Sequence, residues 1–190
     1  AHELFNNKKL NTVGTDVYLS ENVDYVSDAH YLPFKSKSFD GVWIQAVLEH
    51  VLDPQQVVSE IHRVLRDDGY VYAETPFMQQ VHEGAYDFTR FTLMGHRYLF
   101  KSFQLVKMGG NKGAGIALAW SIKYFFWALF RSRLIGTILS LPFNIILRFL
   151  DKFISNESLY DSSSGVYFLG KKTHTEFTKT DLISLYKGLQ

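Results

Sequence analysis

Residues 39–76 read FDGVWIQAVLEHVLDPQQVVSEIHRVLRDDGYVYAETP, and this stretch decides the fold class of the chain. Its first part, residues 39–47, is nearly continuously apolar, which is typical of a strand buried on both faces of a parallel sheet. Asp53 and Pro54 then provide the N-cap and the first residue of a helix. A second strand is predicted over residues 70–77. A strand, a helix and a strand joined by short connections predict a right-handed parallel crossover.

The helix of this crossover is predicted to end at Asp67-Asp68-Gly69, with Gly69 in the left-handed conformation. Further strands are predicted on both sides of the crossover, and further helices in the second half of the chain. These strands cover residues 12–18, 23–29, 104–109 and 164–172, and these helices cover residues 91–103, 114–130, 134–150 and 179–188. Residues 1–11 are expected to form the end of a helix and a polar turn. The pattern indicates an α/β domain.

The composition limits the chemistry that the chain can carry. It has 190 residues, of which 46% are hydrophobic, and this is enough for one domain with a sizeable core. The formal net charge is +1, so no global basic excess points to nucleic acid. The chain has no cysteine, which excludes disulfides, thiolate metal sites and a cysteine nucleophile and fits a reducing cytoplasm. Because its first residue is Ala1 and no signal peptide is recognisable, we expect the sequence to begin inside a longer protein.

Two carboxylates follow the predicted N-terminal strands. Asp16 comes directly after TVGT, and Asp28 comes directly after DYVS. Ligands of open parallel sheets bind beyond the carboxyl ends of the strands. A carboxylate there can accept hydrogen bonds from a ribose diol, and a second one, with a neighbouring backbone amide, can bind an adenine amino group. The two positions therefore suit a bound adenosine, although an aspartate after a strand is also a common turn residue.

Three pieces of the chain, taken in order, are similar to class I S-adenosylmethionine-dependent methyltransferases. They are VGTD, SDAHYLPFKSKSFDGVW and LEHVLDPQQVVSEIHRVLRDDGYVYAETP. The resemblance covers residues 4–77, with a weaker match in residues 82–103 and 164–172. It implies a Rossmann-like sheet that is mostly parallel and has helices on both faces. It also implies S-adenosyl-L-methionine as the cofactor and methyl transfer as the reaction.

The resemblance assigns cofactor contacts to individual residues. Asp16 matches the acidic residue that bonds the ribose hydroxyls. Asp28 matches the acidic residue that bonds the adenine amino group, with Ala29 contributing its backbone amide. Gln45 and Ala46 match positions beside the methionine part of the cofactor. Glu49 and His50 follow at the edge of the active site, where we expect His50 to contact the acceptor.

The family pattern is incomplete at its N-terminal end. The family has a strand and a glycine-rich loop of the type D-x-G-x-G before its second strand, and residues 1–11 supply neither. Gly14 lies inside a predicted strand and cannot replace the loop. We therefore expect an N-terminally truncated fragment whose sheet lacks a central strand and leaves backbone groups unpaired. Such a fragment is expected to be a poor enzyme by itself.

The acceptor side is predicted in HEGAYDFTRFT, residues 82–92, after the strand of residues 70–77. This piece is similar to H..PYDY.RFT segments in methyltransferases associated with surface polysaccharides and other glycoconjugates. Methyl transfer to a hydroxyl needs an in-line approach and, in most cases, a base for the departing proton. His82 is the first candidate for this base, with Glu83 and Asp87 as the next candidates.

Two more residues of this segment are predicted to contact the acceptor. They are Tyr86 and Arg90, and the guanidinium of Arg90 could bind a carboxylate or phosphate of the acceptor. The alternative is a structural pair of Asp87 and Arg90 that fixes the loop to the following helix.

Two apolar segments, residues 114–130 and 134–150, precede the last predicted strand. Each is about 17 residues long, or near 26 Å as a helix, which is the lower limit for spanning a bilayer. Lys123, Pro142 and Asn144 interrupt them, and basic residues flank them. This combination favours helices in a membrane interface over a spanning hairpin, and a lid or a subunit interface is the alternative.

Together the observations predict an organisation and a function. Residues 1–110 are expected to form an incomplete cofactor-binding core, residues 111–160 an apolar helical insertion, and residues 161–190 the last strand and tail of the same domain. The expected activity is methylation of a hydroxyl or similar nucleophile on a small-molecule, glycoconjugate or lipid-linked acceptor. We expect a cytoplasmic location with peripheral membrane contact through residues 114–150, no nucleic-acid partner and no metal.

Two other functional classes are alternatives to the methyltransferase function. A nicotinamide-dependent oxidoreductase would also place an acidic residue after its second strand, but the DA-x-x-LPF and LEH-x-x-DP pieces argue against it. A non-catalytic, membrane-associated module that has kept the fold and lost the glycine-rich loop remains an alternative.

Overall fold

A computed structural model describes residues 9–175 and 177–190 of the chain, so most of the turn predicted for residues 1–11 lies outside the described residues. The strands are Thr15–Asp16 (β1), Tyr25–Val26 (β2), Phe39–Gln45 (β3), Leu65–Pro76 (β4), Phe103–Asn111 (β5) and Gly165–Lys172 (β6). The helices are Pro54–Val64 (α1), Leu93–Leu99 (α2), Ala114–Phe130 (α3), Arg133–Leu150 (α4), Ser158–Ser162 (α5) and Lys179–Leu185 (α6). Short 3-10 helices cover Gly84–Tyr86 and Asp151–Phe153. Of the helices, α5 was not predicted from the sequence.

The crossover of β3, α1 and β4 has the predicted order and direction. The two strands pair in parallel, with Gly41 opposite Tyr70 and Gln45 opposite Glu74. The side chain of Asp53 caps α1 by accepting a hydrogen bond from the Gln56 amide at 3.0 Å. Helix α1 turns its apolar face to the sheet through Val57, Val58, Ile61 and Val64.

The end of α1 differs from the prediction. The helix ends at Val64, and Leu65 already pairs with β3, so Asp67-Asp68-Gly69 lies inside β4. Asp68 has the left-handed conformation, with φ 69°, and Gly69 does not. A Cβ at Gly69 would lie 3.0 Å from the Arg66 carbonyl oxygen, so the glycine is required by close backbone approach. The prediction of the helix end was wrong because strand pairing takes over these residues.

The strands form two groups in the described part of the chain. β1 and β2 pair in parallel, and β3, β4, β6 and β5 form a four-stranded sheet in that order. β6 is antiparallel to both of its neighbours, β4 and β5. The N-terminal and central pairings are therefore parallel, as predicted, and the antiparallel character comes from the insertion of β6 between β4 and β5.

Helices α1 and α2 cover one face of the four-stranded sheet. The buried apolar core lies between these helices and the sheet. It includes Leu48, Val71, Ala73, Phe100, Phe103 and Phe168. The opposite face carries Trp43, Tyr72 and Tyr167, whose neighbouring rings are 4.2 and 6.3 Å apart, and Trp43 is 43% exposed. The long helices α3 and α4 pack mainly on each other.

The apolar hairpin, which we define as residues 114–150, leaves and returns at one end of the sheet, since Asn111 pairs with Gly165. Its helices α3 and α4 cross closely, and a Cβ at Gly136 would lie 2.9 Å from the Trp127 Cβ. Asp151 closes the base by accepting hydrogen bonds from the amides of Gly115 at 2.7 Å and Ile116 at 3.0 Å. Pro142 lies inside α4 without ending it.

The core contains one titratable imidazole. His96 of α2 is fully buried, and neither of its ring nitrogens has a hydrogen-bond partner among the described residues. Its ring packs against Phe100 at 5.2 Å and Phe91 at 5.9 Å. Burial among apolar side chains lowers the pKa of His96 to about 3.

His96 should make the fold sensitive to acid. Its folded-state pKa lies below the unfolded value of about 6.5, so its contribution to stability is fully present above that pH and is lost as the pH falls toward the folded pKa. We expect His96→Leu to remove about 2–3 kcal/mol of the decrease in unfolding free energy between about pH 6.5 and 4.5, measured by urea denaturation. His174→Leu is the control, because the His174 side chain is 77% exposed. An unchanged pH dependence in His96→Leu would contradict the prediction.

Candidate functional site

A polar network lies at the carboxyl ends of β3 and β4. The Gln45 side-chain amide donates to Glu74 Oε2 at 2.8 Å, and the Asn111 amide donates to the same oxygen at 2.9 Å. The Tyr72 hydroxyl donates to the other oxygen of Glu74. Burial, together with the Glu74 carboxylate, raises the pKa of Tyr72 above its ordinary value, so this hydroxyl stays protonated. Gln45 is recognisable from the family pattern, whereas its partners Tyr72 and Glu74 are not, although strand alternation places them on the same face.

The chain turns sharply after β3. Ala46 has φ 55°, a left-handed conformation that is strained for a residue with a Cβ. Its amide donates to the Glu74 carbonyl at 3.1 Å, which ties the turn to β4. Strain of this kind concentrates at functional sites, and here it falls on a predicted cofactor position beside Gln45.

The loop after β3 is joined to the loop after β4. The Glu49 carbonyl accepts hydrogen bonds from the amides of Phe88 at 2.8 Å and Thr89 at 3.2 Å. The Glu49 side chain is fully buried, and neither carboxylate oxygen has a hydrogen-bond partner among the described residues. Burial raises the pKa of Glu49, while nearby positive groups oppose the rise.

Two histidines face the buried carboxylate of Glu49. His50 Nε2 lies 3.7 Å from Glu49 Oε1, and His82 Nε2 lies 3.9 Å from the same oxygen. The Nδ1 atom of His50 lies 2.8 Å from the Tyr86 carbonyl oxygen, an acceptor, so Nδ1 carries the proton in the neutral ring. His82 Nδ1 lies 3.4 Å from Asp87 Oδ2. The structure thus brings His50 and His82 together with Glu49, which the sequence already placed at the edge of the active site and whose side chain is fully buried.

The Arg90 guanidinium makes its hydrogen bonds to groups of the chain itself. It forms a two-pronged pair with Asp87, in which Nη2 lies 2.5 Å from Oδ2, and it donates to the carbonyls of Gln79 at 3.0 Å, Thr89 at 3.0 Å and Gln80 at 3.2 Å. All five N–H groups of the guanidinium are thereby occupied. The prediction of Arg90 as an anion-binding residue is corrected, because no donor is left for an acceptor group in this arrangement.

Asp87 is also a structural residue in this arrangement. Both carboxylate oxygens contact Arg90, and Oδ2 accepts the His82 amide at 2.9 Å. The Arg90 guanidinium lowers the pKa of Asp87 to about 2, so its carboxylate is too weakly basic to remove a hydroxyl proton near neutral pH. The candidate role of Asp87 as a base is therefore corrected to one of holding the loop and orienting His82.

Glu83 and Tyr86 stand at the ends of the 3-10 helix, and both side chains are exposed, Tyr86 by 64%. Tyr86 reaches His50 through its carbonyl only. In the described part of the chain, the Glu83 side chain has no hydrogen-bond or ion-pair partner and lies outside the Glu49 cluster. The predicted catalytic role of Glu83 gains no support from its position.

The two predicted adenosine carboxylates follow adjacent parallel strands. Asp16 ends β1, and its Oδ1 accepts the Tyr18 amide at 3.1 Å. Asp28 follows β2, and its Oδ1 accepts both the amide and the Nδ1–H of His30, at 2.9 and 2.6 Å. These hydrogen bonds lower the pKa of Asp28. Among residues 9–175 and 177–190, each carboxylate keeps one oxygen without a hydrogen-bond partner. Ala29 is half-buried.

Residues 5–73 match the model of a family described as a methyltransferase domain. These 69 of the 190 residues are similar to methyltransferase domains, which agrees with the resemblance to class I methyltransferases predicted from the sequence. The match contains Asp16, Asp28, Gln45 and Ala46, and it ends within β4. No curated protein is significantly similar to the chain in sequence.

Three solved structures align with most of this chain. A chain from the complex between the Haloferax volcanii Trm112 methyltransferase activator and a protein assigned as a methyltransferase aligns with a TM-score of 0.50 and 19% identity, over 83% of this chain and 65% of that one. A Bacillus halodurans protein assigned as a methyltransferase aligns with a TM-score of 0.48 and 15% identity, over 86% and 81%.

A third structure, phosphoethanolamine N-methyltransferase 2 of Haemonchus contortus, was solved with phosphomonomethylethanolamine and S-adenosylhomocysteine. It aligns with a TM-score of 0.41 and 16% identity, over 77% of this chain and 36% of that one. Identities this low concern the fold alone. The chain spans 57%, 65% and 58% of the length of three of the matching structures.

The pair of Asp87 and Arg90 should stabilise the domain. Breaking a largely buried, doubly bonded pair leaves a carboxylate uncompensated, so we expect Arg90→Ala to lower the unfolding free energy by about 2–4 kcal/mol. Arg66→Ala is the matched control, because the Arg66 and Asp40 side chains are 56% and 84% exposed, and it should cost less than about 1 kcal/mol. Denaturant unfolding measures both. Equal losses in the two variants would show that the pair of Asp87 and Arg90 does not hold the loop.

Proposed function

We propose that the chain acts as an S-adenosylmethionine-dependent methyltransferase on a hydroxyl of a glycoconjugate or lipid-linked acceptor at a membrane surface. One observation supports this acceptor class above the others: the loop after β4 is bonded directly to the apolar hairpin. The Tyr124 hydroxyl donates to the Val81 carbonyl at 2.8 Å, and the Gln80 side-chain amide donates to Ser121 Oγ at 3.0 Å. The loop that carries His82 and the hairpin therefore form one surface.

The carboxylates beyond β1 and β2 suit the adenosine part of the cofactor. Ribose hydroxyls and the adenine amino group are donors, and Asp16 and Asp28 each retain a free carboxylate oxygen that can accept from them. Gln45 and the strained residue Ala46 would border the methionine part. S-adenosylmethionine supplies an electrophilic methyl group on a positively charged sulfur.

His82 is positioned to receive the proton of an acceptor hydroxyl. Its side chain is 24% exposed, and its Nδ1 atom faces the Asp87 carboxylate. A carboxylate beside one ring nitrogen favours the tautomer in which the other nitrogen is unprotonated, and this is the form that a base requires. The acceptor oxygen would bond to the methyl carbon as the carbon–sulfur bond breaks and S-adenosylhomocysteine leaves. The hydroxyl proton would pass to His82 Nε2, and the product would be a neutral ether.

A groove beside this loop is large enough for part of an acceptor. Its volume is about 570 Å3, and it lies between the loop after β4 and α3. The lining residues are Gln79, Gln80, Val81, Asp87, Phe88, Thr89, Arg90 and Tyr124. The lining combines polar side chains with the apolar or aromatic groups of Val81, Phe88 and Tyr124, which suits an acceptor that has a sugar and a lipid part.

The apolar hairpin has the surface of a membrane-contacting element. The segment Arg133–Phe153 is 21 residues long with a mean hydropathy of 1.5, and 11% of its apolar window is buried. It is therefore long and apolar enough to cross a membrane, whereas α3 is shorter. The large exposed apolar side chains include Phe125, Leu129, Leu134, Ile138, Leu141, Ile145, Ile146 and Phe149. Such a continuous apolar patch marks an interaction surface in a folded domain.

Basic residues at the ends of the hairpin favour the interface of the membrane over its interior. Arg131 and Arg133 form the turn, and Arg148 and Lys152 lie near the base. Cationic groups near the ends attract anionic lipid headgroups, and the attraction weakens with salt. A lid, a subunit interface and a non-catalytic membrane module are the outcomes against which this proposal is tested.

The cofactor assignment is tested with calorimetry on the full-length protein. Asp16→Ala and Asp28→Ala should each weaken S-adenosylmethionine binding by roughly ten- to a hundredfold, since a charge-assisted hydrogen bond is worth about 1.5–3 kcal/mol. Asp40→Ala, which removes an exposed carboxylate elsewhere, should bind normally. Unchanged affinity in both strand-end variants would overturn the assignment, and a wild-type protein that does not bind the cofactor would favour the non-catalytic module.

The membrane proposal is tested by flotation with vesicles of phosphatidylcholine and phosphatidylglycerol. The protein should float at low salt and less at high salt, and Leu134→Ser with Ile145→Ser should weaken binding at least tenfold, because each buried side chain contributes about 1.5–3 kcal/mol. Leu134 and Ile145 are 70% and 66% exposed, and Leu52→Ser, at a position 79% exposed outside the hairpin, is the control. A protein that stays in solution with anionic vesicles has a lid or a subunit interface, and one that resists carbonate extraction spans the bilayer.

A further inference from the structure

The Glu49 carboxylate is in an unusual position. Its side chain is fully buried, and both oxygens lack a hydrogen-bond partner among the described residues. Leaving a buried carboxylate unpaired costs free energy, and native structures generally supply a partner. No lysine or arginine forms an ion pair with Glu49 in the described part of the chain, and its ion-pair neighbours are the two imidazoles of His50 and His82.

The three side chains converge on one point. One ligand atom from each of Glu49, His50 and His82 lies within 4.8 Å of the other two. The two distances to Glu49 Oε1 are 3.7 and 3.9 Å. Metal–ligand bonds of about 2.0–2.2 Å in tetrahedral geometry place ligand atoms roughly 3.3–3.6 Å apart. The observed spacing therefore needs only small side-chain adjustments to hold an ion.

The surrounding groups orient both imidazoles toward this point. His50 Nδ1 lies 2.8 Å from the Tyr86 carbonyl, and His82 Nδ1 lies 3.4 Å from the Asp87 carboxylate, which Arg90 holds in place. Metal-binding histidines characteristically present the second ring nitrogen to a carbonyl or a carboxylate, which fixes the tautomer with a free electron pair on the ligating nitrogen. His50 has such a hydrogen-bond partner, whereas His82 Nδ1 lies near the Asp87 carboxylate without a hydrogen bond among the described residues.

We propose that Glu49 Oε1, His50 Nε2 and His82 Nε2 bind one divalent transition-metal ion. Two imidazoles and one carboxylate suit Zn2+, Mn2+, Fe2+ or Co2+, whereas Ca2+ and Mg2+ prefer sites made of oxygen ligands alone. Three protein ligands leave coordination positions open for a further ligand.

The open position fits the acceptor hydroxyl, and this part of the inference rests on the proposed function. A hydroxyl bound to a divalent cation loses its proton more readily, and that proton passes to solvent water. The ionised oxygen would then form the bond to the methyl carbon as the carbon–sulfur bond breaks and S-adenosylhomocysteine leaves. In the metal-bound form, His82 is a ligand, and the ion replaces it as the means of activating the hydroxyl.

The test is metal binding to the full-length protein after treatment with a chelator. Calorimetric titrations with Mn2+, Zn2+ and Co2+ should each show one ion per chain, and bound Co2+ should give visible absorption bands. Glu49→Gln and His82→Ala should each weaken binding at least a hundredfold. His174→Ala is the matched control, because this histidine lies 3.6 Å from Asp67 on the surface and outside the cluster, and it should bind like the wild type.

Absence of one-to-one binding by the wild type, or equal affinity in Glu49→Gln and His82→Ala, would overturn the metal site. If Glu49→Gln fails to fold, His82→Ala decides the question, because His82 is partly exposed and its truncation removes a ligand without leaving an empty core. S-adenosylmethionine affinity is measured in the same samples. Metal binding without cofactor binding supports the site and contradicts the proposed function, and the reverse result contradicts the site alone.

Discussion

The parallel pairing of β3 with β4 is the constraint on which the rest of the site depends. Because the strands run in the same direction, with Gln45 opposite Glu74, the loops that follow them emerge at one edge of the sheet. The Glu49 carbonyl then accepts two amides from the loop after β4, which brings His82 to the Glu49 carboxylate. Helix α1 makes this pairing possible by crossing over the face that it covers.

Charge is distributed unevenly at this edge. The Arg90 guanidinium is fully engaged and neutralises Asp87, so this pair serves as a rigid support. The Glu49 carboxylate has no hydrogen-bond partner among the described residues, and the groups that form ion pairs with it there are the imidazoles of His50 and His82. An arginine fork satisfies a carboxylate completely, whereas two histidines leave room for a third species. The pair of Asp87 and Arg90 is therefore structural, whereas Glu49 with its two histidines is available for binding a ligand.

The apolar hairpin connects this edge to a second environment. The apolar window of Arg133–Phe153 is only 11% buried. Gly115 and Gly136 let α3 and α4 pack closely on each other, and Asp151 closes their base. The hairpin is bonded to the loop after β4 through Tyr124 and Ser121. A membrane or a partner protein that contacts the hairpin therefore lies next to the groove beside His82. Where the domain binds would then influence which acceptor reaches this groove.

The sequence by itself determined the elements whose signals are local. The apolar run of residues 39–47, the cap at Asp53 and the lengths of α3 and α4 follow from periodicity and capping, and the strand-end positions of Asp16 and Asp28 follow from the family pattern. The tertiary structure alone decided which partners the polar side chains have. Arg90 is bonded to Asp87 and three carbonyls, and Glu49 is buried without a hydrogen-bond partner among the described residues. Helix α1 ends at Val64, and Trp43 on one face of the sheet is exposed. Burial and long-range hydrogen bonds depend on contacts between segments distant in the chain, and no local pattern encodes them.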